Sequence, residues 1–94
     1  MTAPREFSLE EAREALQALR DVAPDGLRAP FSREDVLAVT AGGIEVKGIE
    51  QGLLDFPATV EGVAAYWCWQ AGEREIEWWH PRGTGFAGRR RIGA

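Results

Sequence analysis

The chain has 94 residues, 45% hydrophobic and 10% aromatic, with one cysteine and a net charge of −4. That length supports one small domain with a single core, the lone thiol excludes an internally disulfide-stapled fold, and no apolar run approaches the roughly 20 residues of a membrane span. Residues 1–80 carry all fifteen acids and seven of the eleven bases, whereas residues 81–94 carry four arginines and no acid, so the chain-wide basic footprint that displaces counterions from nucleic acid is missing.

The opening "MTAPREFSLEEAREAL" has no basic stretch followed by a long apolar one, which predicts a soluble cytoplasmic protein rather than a targeted one. Within "FSLEEAREALQALRDVAP", Ser8 stands three residues before Glu11, the spacing of a capping box, and Leu9, Ala12, Leu16 and Leu19 recur on one face. This predicts a helix over residues 9–22, ended by Pro24 and Asp25-Gly26. "FSREDVLAVTAGG" repeats the signal with Ser32 as N-cap, Asp35 in the box position and Phe31 able to staple onto Val36. A second helix over 33–41, ended by Gly42-Gly43, completes a helical hairpin spanning residues 9–41.

From Gly43 the hydrophobic period changes from near 3.6 to 2. "GIEVKGI", "GLLDFPATV", "VAAYWCWQ" and "REIEWWH" are separated by Glu50-Gln51-Gly52, Glu61-Gly62 and Ala71-Gly72, which predicts an antiparallel meander of three to four strands over residues 43–80. All four tryptophans fall between residues 67 and 79, where the core should be densest. Residues 81–94 form a Gly/Arg-rich C-terminal segment. The expected fold is a single α+β domain over 1–94, with the helical hairpin packed on one face of the meander.

That last segment contains Gly83, Gly85 and Gly88 in a G-x-G-x-x-G pattern. A dinucleotide fingerprint needs a strand before it, a helix after it and an acid about 20 residues on. With six residues after Gly88, a Gly-rich loop is the expectation.

Treating Glu61-Gly62 and Ala71-Gly72 as two-residue hairpin loops sets the register by pairing Val60 with Val63 and Gln70 with Glu73. One face then carries Leu54, Phe56, Ala58, Val60, Val63, Ala65, Trp67, Trp69, Ile76, Trp78 and His80 and forms the core. The other carries Asp55, Tyr66, Cys68, Glu73, Glu75, Glu77 and Trp79. A second loop longer by one residue would exchange the faces of the last strand.

The order of "FSLEEA", "GIEVKGIEQGLLDFPA", "YWCWQAGEREIEWWHP" and "GFAGRR" resembles a family of small prokaryotic proteins, domain-of-unknown-function family 2203, over residues 7–22 and about 43–91. The coinciding positions include Lys47, Asp55, Cys68, Glu73, Trp79, His80, Phe86 and Arg89. The resemblance implies no established activity. Members carry longer helices ahead of the sheet, and residues 23–42 are too short for these.

Candidate sites follow from the two faces. Asp55 interrupts an apolar run and is either solvent-facing by alternation or paired with Lys47 or Arg89. Cys68, between two tryptophans, reads as an inert small hydrophobe, and its placement opposite to His80 disfavours a Cys–His catalytic pair. His80 ends the last strand, capping backbone or stacking on an indole. One His, one Cys and scattered carboxylates lack the repeated spacing of a zinc site, so no metal or cofactor is expected. Asp55 beside Glu75 resembles both a carboxylate pair and a solvated sheet face. Phe86 is expected to enter the edge of the aromatic core, and Arg89 to pair with Asp55, Glu75 or Glu77.

Function is read first as a small cytoplasmic interaction or assembly module, a homodimer through uncovered Tyr66 and Trp79 or a binder of another protein. The alternative is a small-molecule or metal-binding protein, an enzyme included, using Asp55, Cys68, Glu75 and His80. A nucleic-acid accessory role through the Arg-rich tail is third, opposed by the acidic body.

Overall fold

A computed structural model describes residues 5–93. Both helices begin where a serine and an acid three residues on satisfy each other's backbone. Ser8 Oγ accepts from the Glu11 N–H at 3.0 Å and the Glu11 carboxylate accepts from the Ser8 N–H at 2.8 Å, which starts α1, Leu9–Val22. Ser32 and Asp35 repeat the exchange at 3.1 and 3.0 Å at the head of α2, Arg33–Ala41. Such a cap is worth about 0.5–2 kcal/mol, and it explains why Asp35 is buried although charged. Gly43, at a φ of 82°, then turns the chain into the sheet.

Five antiparallel strands follow in chain order: β1 Glu45–Gly48, β2 Leu53–Val60, β3 Val63–Gln70, β4 Trp78–Pro81 and β5 Arg90–Arg91. The meander has one strand more than the sequence predicts, because Arg90 and Arg91 pair with Trp79 and Trp78. Between β4 and β5 the glycine pattern forms a short 3-10 turn over Phe86–Gly88, with no strand-to-helix junction for a dinucleotide.

The hairpin between β2 and β3 is a two-residue turn in which Glu61 and Gly62 both take positive φ, 53° and 79°, the twist that matches flanking strands. The register it sets is the predicted one, with Phe56 opposite Trp67, Asp55 opposite Cys68 and Leu54 opposite Trp69. Leu54, Phe56, Ala58, Ala65 and Trp69 are at most 1% exposed and pack with Ala12 and Leu16 of α1, Val39 of α2, and Leu27, Phe31 and Ile44. Phe7 ties the chain ahead of α1 to this core. Its N–H donates to the Pro57 carbonyl at 2.8 Å, its carbonyl accepts from the Trp67 indole at 2.8 Å, and its ring meets Phe56 edge-on at 5.5 Å.

The connection from β3 to β4 departs from expectation. Ala71-Gly72 is not a two-residue loop, and Cys68 pairs with Trp78 instead of Glu75. Glu73 folds back on the end of β3: its backbone carbonyl accepts from the Trp69 indole at 3.0 Å, and its carboxylate from the Gln70 N–H at 2.7 Å. Ile76 is fully buried in the core, and its carbonyl accepts from the Arg13 guanidinium of α1 at 2.8 and 3.2 Å. Residues 71–77 are thereby used before pairing resumes. The register moves by three residues, an odd number, and every side chain of β4 changes face. Trp79 is 7% exposed in the core beside Trp67, whereas Trp78 and His80, expected in the core, lie on the opposite face.

Replacing Trp79 with Ala should lower unfolding stability by about 3–5 kcal/mol, the cost of emptying a large buried site. Trp78→Ala should cost clearly less. Denaturant titration of both variants checks this, and equal losses would contradict the assignment of faces.

Candidate functional site

The exchange of faces on β4 puts His80 on the same side as Asp55 and Cys68. Asp55 and Cys68 are directly opposed on β2 and β3, and His80 on β4 pairs with Tyr66, two residues from Cys68. Strands two apart are separated by about 9–10 Å, a gap that an imidazole and a carboxylate span only if the intervening side chain is short. Cys68 is that side chain. Asp55, Cys68 and His80 are 4%, 2% and 2% exposed, and a donor atom from each lies within 4.8 Å of the others.

Hydrogen bonds orient the imidazole. Nδ1 stands 2.8 Å from the Pro81 carbonyl, which only accepts, so Nδ1 carries a proton. Nε2 stands 3.0 Å from Asp55 Oδ2, and one proton lies between that pair. Burial pushes the Asp55 carboxyl above its usual range, opposed by the charge of His80. Burial, with the Asp55 carboxylate adding to it, pushes the Cys68 thiol up to about 12.

This is not a Cys–His–Asp nucleophile. In such a triad one imidazole nitrogen faces the thiol and the other the carboxylate. Here the carboxylate occupies Nε2, a carbonyl occupies Nδ1, and the thiol stays protonated. From the sequence alone Cys68 and His80 fall on opposite faces; the structure corrects that by placing them on one face, and leaves the catalytic pair unsupported for a different reason.

A cavity of about 200 Å³ opens above the three residues, walled by Lys47, Leu53, Tyr66, Arg82, Gly85 and Phe86. Lys47 reaches it because β1 carries a bulge between Val46 and Gly48, a device that re-aims a side chain. The Lys47 ammonium and the Arg82 guanidinium both approach the Tyr66 ring, at 4.8 and 5.0 Å from its centre, and its hydroxyl donates to Glu45 at 3.2 Å. Tyr66 and Trp79, expected to lie uncovered, are 8% and 7% exposed.

The remaining predicted residues stand elsewhere. Glu75 pairs with Arg13 at 2.9 Å and Glu77 with Arg91 at 3.6 Å, so neither joins the cluster. Arg89 does not reach Asp55, Glu75 or Glu77: its Nη2 donates to both oxygens of Glu73 at 2.8 and 2.7 Å. Its guanidinium lies over the Trp78 and Phe86 rings at 4.9 and 4.6 Å. Phe86 is 43% exposed at the cavity instead of inserted in the core. Lys47 pairs with Glu45 at 2.9 Å, not with Asp55. Arg82 was not singled out in the sequence; its place two residues after His80 is the only signal for it.

In metal-free protein near neutral pH, Cys68 should react with a disulfide reagent at least about tenfold more slowly than in unfolded protein, because the thiol is both buried and un-ionised. Equal rates in the two states would contradict this environment.

No helix among the described residues is long and apolar enough to cross a membrane. No curated protein and no solved structure matches the chain significantly. The family described as an uncharacterized conserved protein, DUF2203, matches residues 31–92, which runs from the residue before the α2 cap through β5 and takes in all three clustered side chains. On that match the chain belongs to the DUF2203 family.

Proposed function

We propose that this protein binds one transition-metal ion of the zinc class through Asp55, Cys68 and His80, and presents its fourth coordination position to a small molecule in the adjoining cavity. The observation that carries this is the convergence of three chemically different donor atoms, from three neighbouring strands, within 4.8 Å and out of water.

Carboxylate, thiolate and imidazole together suit a borderline-soft ion such as zinc. Donors around a tetrahedral zinc stand about 3.3–3.8 Å apart, a spacing that side-chain rotations reach from the observed separations. The Pro81 carbonyl supports the site from outside, because a proton fixed on Nδ1 leaves Nε2 as the ligand. Binding would release two protons, one from the thiol and one from the Asp55–His80 pair. A divalent ion would balance the carboxylate and thiolate, relieving the cost of burying them together. When bound, such an ion supplies a Lewis acid and lowers the pKa of coordinated water. Three protein ligands and an open fourth position are the pattern of reactive rather than purely structural zinc sites. A reduced thiol ligand fits the cytoplasmic compartment expected from the sequence.

Self-association loses its motive, since Tyr66 and Trp79 are covered within the chain. The tail gives little support to nucleic-acid binding: Arg89 and Arg91 pair with Glu73 and Glu77, and Arg90 lies over Trp79 at 5.2 Å.

Chelator-stripped protein titrated with cobalt(II) should take up one equivalent and develop a thiolate charge-transfer band in the near ultraviolet. Cys68→Ser, Asp55→Asn and His80→Ala should each weaken binding by about 10–100-fold or more, while Glu75→Gln should not. Folded protein that takes up no metal, or takes it up with no thiolate band, would overturn the proposal.

A further inference from the structure

We infer that the ligand of this cavity is a small organic carboxylate with an apolar body, its charged end placed between Lys47 and Arg82 and its body against Tyr66, Leu53 and Phe86. The cavity adjoins the metal site proposed above and its choice rests on that reading, whereas recognition by the two bases does not need the metal.

The chain is acidic overall, at −4, yet the walls of this cavity carry two bases and a single acid, Asp55, which His80 already engages. Arg82 is held loosely. Its Nε donates to the Ala65 carbonyl at 3.3 Å, its nearest carboxylate is Glu6 at 3.7 Å, and its terminal nitrogens make no hydrogen bond among the described residues. A guanidinium fixed at Nε and stacked on Tyr66 presents its remaining donors as a planar fork that matches a carboxylate. Lys47, aimed over the same ring by the β1 bulge, adds a second positive charge, which its pairing with half-exposed Glu45 leaves available at little cost.

Charge and shape together choose a carboxylate over inorganic phosphate. A dianion would stand beside the Asp55 carboxylate, where like charge opposes it. It would also leave the apolar walls wet. Phe86 stays 43% exposed at the mouth, with the Arg89 guanidinium over it, and an apolar ligand body would cover it. A water's share of liquid volume is about 30 Å³, so a cavity of about 200 Å³ holds about seven waters or an organic ligand of about ten non-hydrogen atoms. Benzoate fits those limits.

Calorimetric titration of the full chain, with zinc and after chelation, compares benzoate with neutral benzamide and with inorganic phosphate. Zinc content is read on the same samples by native mass spectrometry. Benzoate should bind one to one, at least about tenfold more tightly than either comparator, and Arg82→Gln or Lys47→Gln should remove most of that preference. Phe86→Ala should weaken benzoate and benzamide alike. A protein that takes no zinc but keeps an Arg82-dependent preference for benzoate upholds the ligand class and removes the metal. Zinc-loaded protein that binds benzoate no better than benzamide, or binds phosphate best, overturns the inference and leaves the metal standing.

Discussion

Glu73 closes the end of β3 by accepting from the Gln70 backbone and the Trp69 indole, donating its own N–H to the Gln70 carbonyl at 2.9 Å, and holding Arg89 through its carboxylate. Together with the Arg13 bond to the Ile76 carbonyl, these contacts set how much chain is consumed before β4 begins, and so which face His80 occupies. A loop shorter by one residue would bury His80 among the helices and turn Trp79 outward, dispersing the three donors. The Arg89 ion pair is well sheltered, with 12% and 24% of the two side chains exposed, so removal of either partner would strand a poorly solvated charge. Arg89 Nε is itself buried without a hydrogen-bond partner among the described residues. That cost is accepted where the guanidinium lies over the Trp78 and Phe86 rings, and the cation–π contact offsets part of it.

A domain of this size has two sheet faces to protect and helices for only one. The second face is covered by the chain's own last segment. Arg89 and Arg91 lay their guanidinium groups over Trp78 and Arg82 lies on Tyr66, while Arg90 lies over Trp79 of the opposite face. Long basic side chains do this well because stem and planar head shield aromatic surface while the charge keeps some contact with water. Glycines allow the path. Gly85 takes a φ of 67°, and a Cβ on Gly88 would run into the Thr84 side chain, so the 3-10 turn can fold tightly over the sheet. The basic tail and acidic body are thus complementary parts of one surface.

Much of this could be read from residues alone, and the boundary is physical. Ser8 with Glu11 and Ser32 with Asp35 placed both helix starts, since capping is local. Glu61-Gly62 placed the β2–β3 register, and with it Asp55 opposite Cys68, since a two-residue turn with positive φ admits one pairing. Ala71-Gly72 carries a similar turn signal and Gly72 does take a φ of 104°, but there the pairing is fixed by an indole, a folded-back carboxylate and an Arg13 bond from α1. Those contacts are tertiary. A strand has only two faces, so an odd displacement misplaces every residue at once: Trp78, Trp79 and His80 all exchanged sides, and the donor cluster became invisible. The Arg89 partner was missed for the same reason, because Glu73 belongs to the loop and not to a strand face.

The engagement of Asp55 with both His80 and Cys68 also limits what chemistry the face can support. Had the imidazole stood between the other two, it could have drawn a proton from the thiol and passed charge to the carboxylate, and a nucleophile would follow. With the carboxylate next to the thiol, negative charge opposes ionisation of the sulfur and the metal-free site resists becoming reactive. A cation placed among the three would reverse each of these effects at once, since the carboxylate would serve as a ligand, the thiolate would be stabilised and the imidazole would offer Nε2 while Pro81 keeps Nδ1 occupied. The small residue on the central strand is what permits the gathering, because any longer side chain at position 68 would stand between β2 and β4.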